Sequence, residues 1–325
     1  SHEAENQAET GASLMQFPLY DPMLIGTEQP PFDDDAYIYE IKMDGVRCLA
    51  YLYKDHVELI NKRHLKLNSK FPELKSLYKQ AKKPCVIDGE LHVFQDGKSD
   101  FFAIQRRTLT SDPFRIRQHS KKFPAVFTAF DILNLDGEDL CQKPLMERKK
   151  LLEKNIKESP ICNISRYIEQ EGKALFALTK QQQLEGIVAK RKESLYQPSK
   201  RTKEWIKCKH LLEADFAVVG YIPKEHAMLS LVLAAYDNQK LQYCGHVTMG
   251  VSKDYLFAHI KDTIPCPFSV LPDGNEDATW ISPFLCGTVK FMEYTQSGGM
   301  RQPVFKGFRE DKQPIECLMH QLQEH

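Results

Sequence analysis

No stretch of the 325-residue chain approaches the roughly 18–20 consecutive apolar residues of a membrane-spanning helix, so a helical membrane protein is excluded. The N-terminus, SHEAENQAETGAS, lacks the apolar segment of a secretory signal. Residues 1–16 therefore read as a disordered leader or an expression remnant outside the fold. No CxxC pair occurs among the nine cysteines, which are odd in number and scattered from Cys48 to Cys317. That argues against a zinc ribbon and against a disulfide framework. A reduced, cytoplasmic compartment fits best, with most thiols acting as small apolar residues. Net charge is lacking too, since 44 Lys and Arg balance 44 Asp and Glu. No global basic field marks a nucleic-acid partner. Repeats and low-complexity tracts are also missing.

The charge that is present is patterned. From Lys190 to Lys209 there are eight Lys or Arg against two Glu, and a second basic run, QRRTLTSDPFRIRQHSKK, covers residues 105–122. A solvated face accounts for such runs as well as a phosphate-contacting surface does. At 42% hydrophobic and 27% charged, the composition is that of an ordinary globular protein. The length suits two domains.

YIYEIKMDGVRCLAYLY (37–53) reads as two strands broken at Asp44-Gly45, and VELINK adds a third. CVIDGELHVF (85–94), AVFTAFDIL (125–133) and LEGIVAKRK (184–192) carry strand patterns. PLMERKKLLEKNIKE (144–158) predicts a helix, with Leu145, Leu152 and Ile156 on one face and the charges opposite. After Lys209, DFAVVGYIP, LSLVLAAYD, LQYCGHVTMG and TVKFMEYT are strands between turns, with a helical stretch at KDYLFAHIKDTI. Strands at such spacing suggest a small barrel. The expected architecture is α+β, built on antiparallel sheets over residues 17–210, followed by an all-β, OB-like barrel over residues 211–325.

Lys42 sits at a strand end before Met43-Asp44-Gly45, where Gly45 permits a sharp turn. A strand lysine is ordinarily a solvated charge. As a nucleophile it must lose its proton, which desolvation or neighbouring cations favour. Lys207 and Lys209, alternating onto one strand face, supply such cations, neutralise a phosphate, or are simply solvated. Glu90, in Asp88-Gly89-Glu90, and Glu185, before Gly186 and an apolar run, are carboxylates in buried strands. They need a cationic partner or a hard metal such as Mg²⁺.

The ordered set is more specific than any member: EIKMDGVR (40–47), DGELHVF (88–94), AFDIL (129–133), LEGIVAK (184–190), KEWIKCK (203–209) and FREDK (308–312). Over nearly the whole chain it resembles the ATP-dependent DNA ligases. The stretch WISPFLCGTVKFMEYTQSGGMRQPVFKGFREDK (280–312) is similar to the ligase module of bacterial end-joining ligases. The resemblance implies an adenylyltransferase (nucleotidyltransferase) domain followed by an OB-fold domain. It implies a Lys42-AMP intermediate formed from ATP, with Mg²⁺ or Mn²⁺, and transfer of AMP to the 5′-phosphate of a nick. It implies adenine recognition by Glu40, ribose-side contacts from Arg47 and Glu90, and stacking of Phe130 on the base. From the residue alone, Phe130 is a plain core aromatic. Glu185 is expected to hold the metal, with Glu90 as the second acid. Lys207 and Lys209 are expected on the α-phosphate, and Arg309 and Lys312 on the pyrophosphate. In the basic runs, Arg106, Arg107, Lys200 and Arg201 are the candidate DNA contacts.

Three positions depart from the family pattern. Asn61-Lys62-Arg63-His64 stands where Ser/Thr-Arg-Asn-Gly is common, leaving Lys62 or Arg63 to do the arginine's work, with Arg63 favoured. Ser199 stands at a frequent Gly, and Gln302 replaces a frequent His. No helical DNA-binding domain or zinc module is expected. A monomer is, and it holds nicked duplex DNA with a steep salt dependence. A Ku-like end-binding protein and a polymerase module are the expected partners, at the bacterial nucleoid. An mRNA-capping guanylyltransferase shares the lysine motif and barrel but uses GTP. An RNA ligase fits less well, because its C-terminal domain is usually not this barrel. A silent nucleic-acid-binding module predicts nick binding without covalent AMP.

Overall fold

The computed structural model describes residues 16–210, 212–249, 253–291, 293–294 and 299–323; the expected leader lies outside them except for Gln16. The chain divides into two compact units, with the division between Lys209 and His210.

The first unit contains β1 (Leu24–Glu28), β2 (Tyr37–Lys42), β3 (Val46–Leu52), β4 (Val57–Ile60), β5 (Cys85–Gln95), β6 (Lys98–Ser99), β7 (Ala125–Leu135), β8 (Glu138–Asp139), β9 (Cys162–Ile164), β10 (Tyr167–Glu169), β11 (Gly186–Arg191) and β12 (Arg201–Lys209). They form two sheets. One has the order β1-β12-β11-β2-β10, the other β4-β3-β5-β7-β8 with β6 and β9 attached. Pairing is antiparallel except at β1/β12 and β7/β9. The two strands expected on either side of Asp44-Gly45 are present, but they belong to different sheets. Residues 43–45 are the crossing between them.

Period-two alternation sorts the side chains. On β5, Cys85, Ile87, Leu91 and Val93 enter a core with Leu74, Leu77, Ile104 and Leu152. Asp88, Glu90 and His92 fall on the opposite face. On the first sheet, Tyr39, Ile187, Ala189, Ile206 and Cys208 form a second core. Each sheet thus hides one face under its own core. The two remaining faces contribute the walls of one cleft.

Helix α1 (Phe101–Leu109) is capped by Asp100, and α2 (Pro113–Lys122) by Asp112 with Pro113 in its first turn. Helix α3 (Leu145–Asn155) ends three residues before the expected limit, because Ile156 turns extended at its C-cap. It also buries Arg148 and Lys149, two charges expected on its solvent face. Arg148 donates to both carboxylate oxygens of Asp131, at 2.8 and 3.0 Å. Helix α4 (Gly172–Gln181) adds Leu175 and Phe176 to the core of the first sheet.

The second unit has the sheet order β15-β14-β13-β16-β19, from β13 (Leu212–Pro223), β14 (Leu229–Asp237), β15 (Lys240–Met249), β16 (Thr279–Phe291) and β19 (Val304–Arg309). A short ribbon pairs β17 (Glu293–Tyr294) with β18 (Met300–Arg301), and α5 (Lys253–His259) follows β15. Alternate residues of β13 enter two cores. Ala214, Phe216 and Val218 pack inside with Leu231, Val289 and Phe305. Ala217 and Val219 pack outside with Trp280, under Cys266 and Phe268. All nine cysteines are free thiols and eight are buried, as small apolar residues are.

Candidate active site

Seven strands converge on one cleft. Its lining includes Glu40, Ile41, Lys42 and Met43 at the end of β2, Val188 and Lys190 on β11, and Trp205 on β12. The facing sheet supplies Arg47, Glu90, His92, Thr128 and Phe130.

Strand register explains the grouping. Lys42 lies opposite Gly186, which lies opposite Lys209; Glu40 lies opposite Val188, which lies opposite Lys207. Residues in such cross-strand rows share a face. Lys42, Lys207 and Lys209 are therefore brought to one side of one sheet. Gly186 is required in the first row, because a Cβ there would stand 2.0 Å from the Cys208 carbonyl oxygen. Gly45 is needed for space rather than for an unusual φ, since a Cβ would meet the Leu91 oxygen at 2.4 Å and the His92 ring at 2.6 Å.

The Lys42 ammonium, 21% exposed, stands 3.6 Å from Oε1 of buried Glu185. Lys209 is 4.0 Å from Glu28. Glu40 is buried between two lysines, Lys149 and Lys190, the latter at 2.5 Å from Oε2. Burial works against its charge, but the two ammonium groups outweigh it and hold the carboxyl below its ordinary value. Lys149 also donates to the Phe130 carbonyl at 2.7 Å. Burial lowers the Lys190 pKa, with Glu40 opposing. The Lys190 ammonium lies 4.1 Å from the Phe130 ring centre and 4.3 Å from that of Trp205. The expected core reading of Phe130 is thus incomplete: it packs against Trp205, and it also lines the cleft.

On the other wall, Arg47 is gripped by Asp88 through two 2.7 Å hydrogen bonds and donates to the Met23 carbonyl at 2.9 Å. Tyr196 donates to the same carboxylate at 2.7 Å. Arg47, Glu90 and Thr128 lie in one cross-strand row. His92 is fully buried, and desolvation pulls its pKa down to about 4, so it is neutral at physiological pH. Lys62 is exposed over much of its side chain, but crowding around its ammonium and the nearby cations Arg47 and Lys42 lower its pKa, with Glu90 opposing. Among the described residues no cluster of three His, Cys, Asp or Glu is arranged to hold a metal.

The second unit holds Arg309 and Lys312. Both reach Asp215, at 3.2 and 2.9 Å, and Arg309 is also bidentate with Asp311. Lys200 and Arg201 are exposed, with Arg201 donating to the Ile25 carbonyl at 3.2 Å. Arg106 is half-buried over the Phe123 ring. Arg107 corrects the expectation of a DNA contact. It is 1% exposed and bidentate with Glu73, and it donates to the carbonyls of Phe123 and Lys70 at 2.7 and 2.8 Å. Adjacent residues on a helix point to different sides, so the pair Arg106-Arg107 has one inner member.

Sequence reasoning missed Lys149, Lys190, His92, Thr128 and Trp205. Lys190 stands in LEGIVAK. Trp205 stands in KEWIKCK, two and four residues before Lys207 and Lys209 along one strand face. Parity was the available signal for Trp205. Nothing local marks Lys149, because helical charges are normally solvated. Ser199 and Gln302, two departures from the family pattern, adopt φ of 64° and 49°. That is the left-handed region where glycine is the least strained residue, which accounts for the frequent Gly at Ser199.

The first unit matches the model of the ATP dependent DNA ligase domain over residues 28–209, and residues 224–312 match that of the family's C-terminal region. The DNA ligase-like protein LigB of a Bacillus subtilis prophage is 28% identical over 89% of this chain and 98% of its own length. The multifunctional non-homologous end joining protein LigD of Pseudomonas aeruginosa is 30% identical over 88% of the chain. The chain spans only 34% of that protein, and 37% of the Mycobacterium bovis LigD, to which it is 29% identical. A solved mycobacterial DNA ligase D complexed with ATP and MES superposes with a TM-score of 0.78 at 26% identity, covering 94% of this chain and 99% of that one. Such a match carries the fold of that ligase core, an adenylyltransferase followed by an OB-fold domain. With the family's two models covering nearly all of the first unit and most of the second, the chain belongs to the ATP-dependent DNA ligases.

Proposed function

We propose that the chain seals nicks in duplex DNA through AMP carried on Lys42, with residues 17–210 as the adenylyltransferase and 211–325 as the OB-fold. One observation carries the reading: Lys42 ends a strand and lines a cleft walled by both sheets, beside buried Glu185 and on the same sheet face as Lys207 and Lys209. The deprotonated Nζ attacks the α-phosphorus of ATP, the bond to the pyrophosphate oxygen breaks, and pyrophosphate leaves. A nick's 5′-phosphate then displaces Lys42 from the AMP. The 3′-hydroxyl attacks the activated phosphate and AMP departs. Every step is an in-line displacement, so positioning and charge neutralisation dominate.

Phe130 stacks on the adenine beside Glu40, while Arg47 and Glu90 take the ribose side. Lys207 and Lys209 neutralise the α-phosphate. Arg309 and Lys312 exchange Asp215 and Asp311 for the pyrophosphate in the first step. Glu185 suits Mg²⁺ or Mn²⁺, because a hard ion shared with substrate phosphates needs only one or two protein carboxylates, and Glu90 is left to the ribose. Such an ion would supply charge neutralisation at the phosphates. Either Arg63 or Lys62, the latter near Arg47, Lys42 and Glu90, takes the second-motif role. Lys200, Arg201 and Arg106 remain candidate DNA contacts. The end-joining relatives support work in double-strand-break repair at the nucleoid, as a monomer, beside a Ku-like protein and a polymerase module. Among the described residues no helix is long and apolar enough to cross a membrane.

The test is incubation with Mg²⁺ and α-labelled ATP or GTP, scored on denatured protein. Label from ATP alone, absent in Lys42→Ala, is expected. Label from GTP would favour a capping enzyme. No label, in protein whose mass shows no bound AMP, would leave a binding module.

A further inference from the structure

Buried polar atoms are normally paired, because an unpaired one costs free energy. Among the described residues, His92 Nε2 and Thr128 Oγ1 are buried without a hydrogen-bond partner, and both belong to residues lining the cleft. They flank Glu90. Thr128 stands directly opposite it across β5/β7, and His92 follows it by two residues on the same face. His92 Nε2 lies 3.7 Å from Glu90 Oε2, too far for a hydrogen bond. A hydroxyl oxygen about 2.8 Å from each would bridge that gap.

The chemistry of this wall suits hydroxyls and not phosphate. Glu90 is an acceptor and repels anions. The nearest cation in the row, Arg47, is already clamped by Asp88. Lys42, Lys207 and Lys209 are on the other sheet, and the remaining cation of this wall, Lys62, follows β4 outside the Arg47–Glu90–Thr128 row.

We infer that His92 and Thr128 contact the two hydroxyls of the ATP ribose and, with Glu90, form a subsite that demands a complete vicinal diol. The inference rests on the reading of the cleft as the ATP site. Thr128 holds one hydroxyl through Oγ1, and His92 holds through Nε2 the hydroxyl bridged to Glu90. A site built to bind a hydroxyl rejects the analogue that lacks it, because its own buried groups are then left unpaired.

Self-adenylylation is measured with ATP, 2′-deoxy-ATP and 3′-deoxy-ATP, in wild type, Thr128→Val and His92→Gln, with thermal melts to establish folding. Wild type is expected to favour ATP over each analogue by about tenfold or more in kcat/KM. Thr128→Val removes one hydroxyl contact without changing side-chain size, and should lower the ATP rate while sparing one analogue, collapsing that preference. His92→Gln should act on the other. Analogue rates within about twofold of ATP in wild type would overturn the inference while leaving the ATP site intact. So would folded variants that keep both preferences. No labelling by ATP itself, in chain free of AMP, would remove the ATP site and the inference with it.

Discussion

Glu40 concentrates the electrostatics of the site in one side chain. Its carboxylate neutralises two buried ammonium groups, Lys149 and Lys190, which in turn support Phe130 and Trp205. Glu40→Gln leaves both cations without their counter-charge, and a loss of about 3–5 kcal/mol is expected. The pH dependence has a definite sign. The folded pKa lies below the ordinary 4.5, so the stabilising contribution is present above that value and is lost as pH falls through the folded one. Urea denaturation between about pH 3 and pH 7 should therefore show a steeper acid loss in wild type than in Glu40→Gln. Parallel profiles would refute it. At the same scale, alanine at whichever of Lys62 and Arg63 takes the second-motif role should slow Lys42 labelling by about tenfold or more, and alanine at the other by much less. Labelling unchanged in both variants would show that neither residue takes it.

The element that decides the site is the crossing at residues 43–45, which passes the chain from one sheet to the other. Its two strands were legible in the sequence, because alternation and the Asp-Gly pair are local signals. Their separation into two sheets was not, since it depends on partners as distant as β5 and β11. Helices α1 and α2 went unread although Asp100 and Asp112-Pro113 are start signals, because the basic charge around them drew the reading toward a surface. The same bias exposed Arg107, which instead ties α1 to the segment around Glu73. Arg107→Ala is expected to cost about 3–5 kcal/mol in chemical denaturation. Arg106→Ala and Arg201→Ala should cost little stability but flatten the salt dependence of nick binding by about one phosphate contact each. A folded, stable Arg107→Ala with weakened DNA binding would reverse this assignment.

At the scale of the molecule, the cleft and the Arg309–Lys312 segment belong to different compact units, and the proposed role of Arg309 is confined to the first step. Arg309→Ala should lose self-adenylylation and still seal a nick already carrying AMP. Loss of both would show that Arg309 supports the fold or the DNA complex instead. The central claim is that AMP passes through Lys42 on its way to DNA, and a chase experiment tests it most directly. The chain is loaded with α-labelled ATP, freed of nucleotide, and mixed with nicked duplex and Mg²⁺. We expect the label to map to the peptide containing Lys42, to move to the 5′-phosphate of the nick, and to be released as AMP with one strand sealed per label. Label on another residue, or sealing that proceeds while the label stays on the protein, would contradict the account.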